Sequence, residues 1–279
     1  MRDVLRLKVQ MRGTALKFGG LVAMGLLCSC SSGASAGVGA VGFFENSLYA
    51  SFARAADPAK PLAKSVWGDG GCSLWPSYSE VPAPTEQLLG AGILSVSTED
   101  ESFTVYPQTN PLDPGVRDFD QYYTFRSPDE QPFAPGERVE FSFSGEVVPQ
   151  FAGTILMPAP ITWLQPELVD PSSLDATAAL SIIDRAADLH VTWTGGESTA
   201  LATFSLSDKN SRSIGCSFPA SGGSALVPAS LLTQLAPSEQ LDDSKISIGT
   251  LVERNATAAD WSIRTYAKSG ARESHVQIR

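Results

Sequence analysis

The sequence is poor in the groups that most enzymes depend on. Only two histidines, His190 and His275, occur in 279 residues. His190 alternates away from its apolar neighbours and reads as a surface strand residue, while His275 lies near the C-terminus. Neither is placed to serve as the base that a serine triad needs. There is no Cys-x-x-Cys and no His-x-x-x-His, so a zinc site is not expected. No phosphate loop occurs, and no βαβ alternation carries a dinucleotide fold. Nothing implies a cofactor. Long apolar runs are lacking too. The longest, Phe18–Leu27 with its glycine spacers, is too short to cross a bilayer as a helix.

Basic charge is scarce, with 20 Lys+Arg against 30 Asp+Glu. Five of those basic residues, Arg2, Arg6, Lys8, Arg12 and Lys17, stand ahead of the apolar run. A positive stretch followed by a ten-residue apolar run is the layout of a secretory leader. Leu27-Cys28-Ser29-Cys30 then places an apolar residue at −3, a small one at −1 and a cysteine at +1. This is the pattern of a bacterial lipoprotein signal. The Cys30 thiol would be the nucleophile that takes the diacylglyceryl group. The alternative is an ordinary leader cleaved after Ala34-Ser35-Ala36. Several acyl chains on Cys30 would hold the protein to the bilayer, because each buried methylene contributes about 0.8 kcal/mol. Ser31 at +2 is not aspartate, which favours the outer over the inner membrane of a bacterial cell envelope.

Loss of residues 1–29 removes those five basic residues and Asp3. The remainder holds 15 basic and 29 acidic residues, a formal charge of −14. Such a surface repels nucleic acid and anionic lipid and keeps an exported protein soluble. Cys28 leaves with the leader and Cys30 carries lipid, so Cys72 and Cys216 remain. In an exported chain these are expected to pair, the alternative being two separately buried thiols.

Residues 30–65 begin Ser/Gly/Ala-rich and end in Asp57-Pro58-Ala59-Lys60-Pro61, and read as a tether. Within them, 41–54 is apolar enough for either an amphipathic helix or a loosely ordered apolar tether. From residue 66 onward, short runs alternate with period two between Gly, Pro, Asp and Ser. Val139–Phe143 and Leu189–Trp193 are the clearest. Further strands are expected at 91–97, 102–106, 121–126, 152–157, 161–164, 179–183, 200–207, 212–218, 245–252, 260–267 and 273–278. Ser97–Glu101 reads as a hairpin turn, and only Pro228–Leu235 reads as helix. Many short strands at this spacing predict an all-β protein, an antiparallel β-sandwich over 66–279. In this reading 66–120 supplies additional N-terminal strands and 121–279 the core sandwich.

The segments Pro135–Gly145, Val148–Phe151, Asp188–Gly196, Cys216–Ala220 and Val227–Leu232 resemble those of uncharacterised bacterial envelope lipoproteins with Ig-like sandwich domains. The resemblance covers about 126–248. It implies an Ig-like fold, with Trp193 on an inner strand and Cys216 after it, and an envelope location. It carries no activity.

Two candidate ligand-binding features stand out. Asp113, Asp118 and Asp120 share one loop and offer hard oxygens for calcium, although a solvated acidic loop beside Arg117 is the favoured reading. Trp67, Trp75 and Tyr78 flank Cys72 and are candidates for stacking on a sugar. Trp193 and Trp261 sit in alternating strands and are core candidates. The expected function is therefore a membrane-anchored, non-enzymatic envelope protein. Its partners would be the bilayer through Cys30 and an envelope protein or glycan. A carbohydrate- or peptidoglycan-binding module is the first alternative, and a hydrolase with a dispersed acidic site the second.

Overall fold

The computed structural model describes residues 37–54, 71–75, 87–109, 121–127, 131–168, 181–238 and 244–279. Among them the protein is an all-β sandwich, as its alternation predicts. Its first surprise is the segment read as tether. Residues 41–54 form neither a helix nor a loose linker. They belong to β1 (Gly37–Phe44) and β2 (Ser47–Arg54), an antiparallel hairpin in the middle of the largest sheet. Val41, Phe43, Leu48, Ala50 and Phe52 lie in the core.

The glycines of Gly37-Val38-Gly39-Ala40-Val41-Gly42 explain the misreading. Each faces an aromatic ring on a neighbouring strand. A Cβ on Gly37 would meet the Trp261 ring at 2.6 Å, one on Gly39 the Phe52 ring at 2.3 Å, and one on Gly42 the Tyr266 ring at 2.3 Å. The registers Gly37↔Trp261, Gly39↔Phe52 and Gly42↔Tyr266 set these pairs. The glycines provide space for rings rather than flexibility.

The largest sheet runs in the order β3 (Gly71–Trp75), β15 (Ser213–Pro219), β14 (Leu201–Ser207), β17 (Lys245–Ala258), β18 (Trp261–Ile278), β1, β2, β8 (Gln121–Arg126), β7 (Gln108–Thr109). Two short strands join it at the side, β4 (Gln87–Leu88) on β2 and β12 (Ser181–Ile183) on β18. Pairing is antiparallel except for β1 and β12, which run parallel to β18. Two smaller sheets occur beside it among the described residues. One orders β10 (Phe151–Leu156), β9 (Arg138–Phe143), β5 (Leu94–Ser97) and β6 (Ser102–Val105); the other orders β11 (Thr162–Gln165), β13 (Leu189–Thr194) and β16 (Ser224–Val227).

Among the described residues two large hydrophobic cores result, beside a small third cluster of Ala40, Leu251 and Tyr266. The first joins β1, β2 and β8 to the β5–β6–β9–β10 sheet, with Phe43, Phe52, Tyr123, Phe141 and Phe143 at its centre. The second lies between β14, β15 and the β11–β13–β16 sheet, around Trp193, Phe204 and Ile214. Strands β5 and β6 are half of the first lobe's second sheet, so 66–120 is not an accessory to a sandwich confined to 121–279.

The β17–β18 hairpin spans both lobes. On β17, Ile246 and Ile248 reach the second core and Ala258 the first, while Val252 packs against both. All are even-numbered, so regular alternation suffices. Strand β18 is different. Trp261, Ile263 and Ala267 enter the first core, whereas Val276 and Ile278 enter the second. The change from odd to even requires one extra residue. A bulge supplies it, since Ile248 pairs with Arg272 but Thr250 pairs with Ser269. The sequence pattern therefore suggests two strands, 260–267 and 273–278, where one continuous strand exists.

Gly270 sits in the bulge with φ +61, and its N–H donates to Glu45 Oε1 at 2.9 Å. The segment linking the lobes docks there. Ser269 Oγ donates to Pro158 O at 2.5 Å, and Ile161 N–H donates to Thr250 Oγ1 at 3.0 Å. A Cβ on Gly270 would meet Pro160 Cβ at 2.6 Å. Gly270→Val combines left-handed strain of about 1–2 kcal/mol with overpacking of about 1–3 kcal/mol. Urea unfolding should show a loss of roughly 2–5 kcal/mol, while Ala271→Val on the exposed next position should stay within about 0.5 kcal/mol of the parent.

Several local expectations hold. Val139, Phe141 and Phe143 point inward and Arg138 and Glu140 outward. Thr98 N–H donates to Glu101 O at 2.8 Å and closes the turn after β5. The helix expected at Pro228–Leu235 contracts to one turn, α1 (Ala229–Leu232), which buries Leu232. Strands β3 and β16 lack any run of alternation long enough to flag them.

Candidate functional site

Cys72 and Cys216 form a disulfide. They face each other across β3 and β15, with Cα atoms 4.1 Å apart. The bridge joins neighbours within one sheet, whereas the conserved bridge of antibody domains joins the two sheets. It secures β3, whose only strand partner among the described residues is β15.

Of the stacking candidates, Trp75 lies half-buried on β3 opposite Ser213. Trp67 and Tyr78 lie outside the described residues, as do Cys30 and the calcium candidates Asp113, Asp118 and Asp120. Among the described residues no group of three or more His, Cys, Asp and Glu side chains is placed to hold a metal ion. None of the described helices is long and apolar enough to cross a membrane. The letters Gly33-Ala34-Ser35-Ala36-Gly37 spell a nucleophile elbow, but the last of them opens strand β1, whereas an elbow leads into a helix.

The other described tryptophans serve the cores. Trp163 stacks on Trp193 at 5.9 Å and 14°, and Trp193 on Phe218 at 6.2 Å and 22°. Trp193 Nε1 donates to Ala220 O at 2.6 Å, which satisfies the buried indole. Trp261 packs edge-on to Phe52. His190 is exposed on β13, as its alternation predicts, and lies opposite Leu226. His275 is half-buried on β18, and its Nδ1 has no hydrogen-bond partner among the described residues. The two histidines lie on different sheets.

The most highly charged buried cluster lies on the face of the largest sheet that points away from the first core. Arg264 on β18 donates to Glu253 on β17, and its guanidinium lies 5.6 Å from the Tyr266 ring centre. Phe44 meets the same ring edge-on at 5.9 Å, and Ala40 and Leu251 pack beside it. Lys268 follows on the same strand, its stem lying over Gly249, where a Cβ would meet Cε at 2.8 Å. Sequence reasoning missed this cluster because it depends on the β17–β18 register, which periodicity does not reveal.

Burial pushes the Tyr266 phenol up to about 12, with Arg264 opposing the shift. Burial does the same to Tyr123, again to about 12, against the lowering effect of the Ala91 N–H bond. Burial moves the Lys268 amine the other way, below its ordinary value, with Glu273 opposing. The cluster can thus hold one neutralised ion pair and a protonated phenol at neutral pH.

The signs give a pH dependence. A raised tyrosine pKa contributes stability that is complete below pH 10 and is lost as pH rises toward 12. A shift of two units corresponds to about 3 kcal/mol for each tyrosine. A lowered lysine pKa acts oppositely, and its penalty disappears as pH rises to 10.5. Unfolding monitored by circular dichroism should therefore show a loss of stability between pH 10 and 12. Tyr266→Phe should remove about half of that loss.

No protein-family model matches the chain, and no curated protein matches it. Seven solved chains match it, two adhesin structures among them. One is described as "Structural insight into host cell surface retention of a 1.5-MDa bacterial ice-binding adhesin". It is 8% identical with a TM-score of 0.19, over 87% of this chain and 64% of that one. The other is described as "Ca2+-stabilized adhesin helps an Antarctic bacterium reach out and bind ice". It is 12% identical with a TM-score of 0.19, over 88% of this chain and 50% of that one. The chain thus spans just under two thirds and half of their lengths. At such scores neither likeness bears on fold, ligand or function.

Proposed function

We propose that the protein is a lipid-anchored component of a bacterial envelope, held at the membrane through Cys30, whose two-lobed β-sandwich binds a partner or serves structurally without catalysis. The observation that carries the reading is the leader itself. Basic residues, a ten-residue apolar run and Leu27-Cys28-Ser29-Cys30 stand in the order that lipidation requires. The fold supports it in one respect. Among the described residues the first core strand opens at Gly37, seven positions after Cys30. The non-catalytic part rests on the two histidines of the sequence, which lie on different sheets and form no paired base.

The test is fractionation of the full chain in a bacterium that lipidates such signals. The parent should follow the membrane fraction and label with palmitate. Cys30→Ala should do neither. Membrane association unchanged by Cys30→Ala would refute the anchor.

A further inference from the structure

The place where β1 begins fixes an orientation. Gly37 pairs with Trp261, the first residue of β18, so β1 starts at the closed end of the β17–β18 hairpin. Only residues 31–36 separate it from Cys30. The seven extended steps from Cys30 to Gly37 reach at most about 25 Å. From Thr257 to Lys245, β17 covers about 40 Å in the other direction, at roughly 3.3 Å per residue. The turn 208–212 lies beyond, because Ser207 pairs with both Ser213 and Lys245. For that far end to rest on the bilayer, Gly37 would stand about 40 Å above it, well beyond that reach.

We propose that the closed end of the β17–β18 hairpin is a membrane-facing surface, and that the second lobe is presented away from the lipid. This rests on the Cys30 reading. The hairpin residues exposed at that end, among the described residues, are Arg254, Asn255, Ala256, Thr257, Ala259 and Asp260. They are small or polar and include one charge of each sign. The hairpin tip therefore meets a lipid headgroup layer without inserting. The exposed face of the β11–β13–β16 sheet, with Leu226 opposite His190, belongs to the outward lobe.

Energy transfer tests the orientation. The lipidated full chain is labelled with a donor at Thr257→Cys or at Asn210→Cys and reconstituted into phosphatidylcholine vesicles carrying a headgroup-labelled acceptor lipid. Both positions are exposed. Ala256→Cys and Lys245→Cys, also exposed, repeat the measurement if either variant fails to fold. Transfer should be several-fold stronger from the hairpin end than from the far end. Equal or reversed transfer in vesicle-bound protein would overturn the orientation and leave the anchor intact. Failure of the palmitate-labelled protein to stay on vesicles would overturn the anchor and the orientation with it.

Discussion

A fragment limited to residues 66–279 will not fold, whereas one beginning at Gly37 will unfold like the full chain. The shorter fragment is the one that the sequence alone recommends, because Gly and Ala dominate the stretch it discards. That stretch contains β1 and β2. Val41, Phe43, Leu48 and Phe52 are fully buried in the first core. Complete burial of such side chains is worth roughly 1.5–3 kcal/mol each, or about 6–12 kcal/mol for the four. A domain's whole stability is only about 5–15 kcal/mol. Deletion also strips β18 and β8 of their ladder partners and leaves two open strand edges, which invite aggregation. The expected observation for 66–279 is aggregated material or a soluble chain without a cooperative urea transition. A cooperative transition matching that of 37–279 would contradict the placement of β1 and β2.

The second large effect is expected from the disulfide. Cys72 and Cys216 are 144 residues apart, and closing a loop of that length restricts the unfolded chain by about 5 kcal/mol in the entropic account. The double substitution Cys72→Ala/Cys216→Ala should lower stability by that order. The effect should also be local. Strand β3 is five residues long and lies at the sheet's edge, so without the bridge its ladder to β15 and the packing of Leu74 against the second core retain it. In the variant, hydrogen exchange should rise at the β15 amides that face β3. Two thiols freely alkylated in the untreated folded protein would refute the bridge. A stability loss below about 1 kcal/mol would show that the bridge is not what ties β3 to the second lobe.

The strands that sequence reveals are those with one wet face and one dry face. Arg138–Phe143 and Leu189–Thr194 alternate cleanly because each belongs to a sheet with an exposed outer surface. Strand β1 gives no such signal. It is buried on both faces, and three of its eight positions are glycine because aromatic rings from its neighbours occupy the space. Strand β18 divides in sequence because the bulge at Gly270 reverses which residues face inward, and no local pattern distinguishes a reversal from a break. The disulfide was legible because an exported chain with two remaining cysteines has one pairing available. The Arg264–Glu253 pair was not, since its partners meet only through the β17–β18 register.

Residues 37–54 are the structural centre of the sheet that spans both lobes. Amide hydrogen exchange of the full chain measures this directly. The strand amides of 38–43 and 48–53 should exchange as slowly as those of β14 and the middle of β17, because opening them requires loss of the first core. Exchange of 38–53 at the rate of an unstructured linker, with β14 and β17 still protected, would contradict the account.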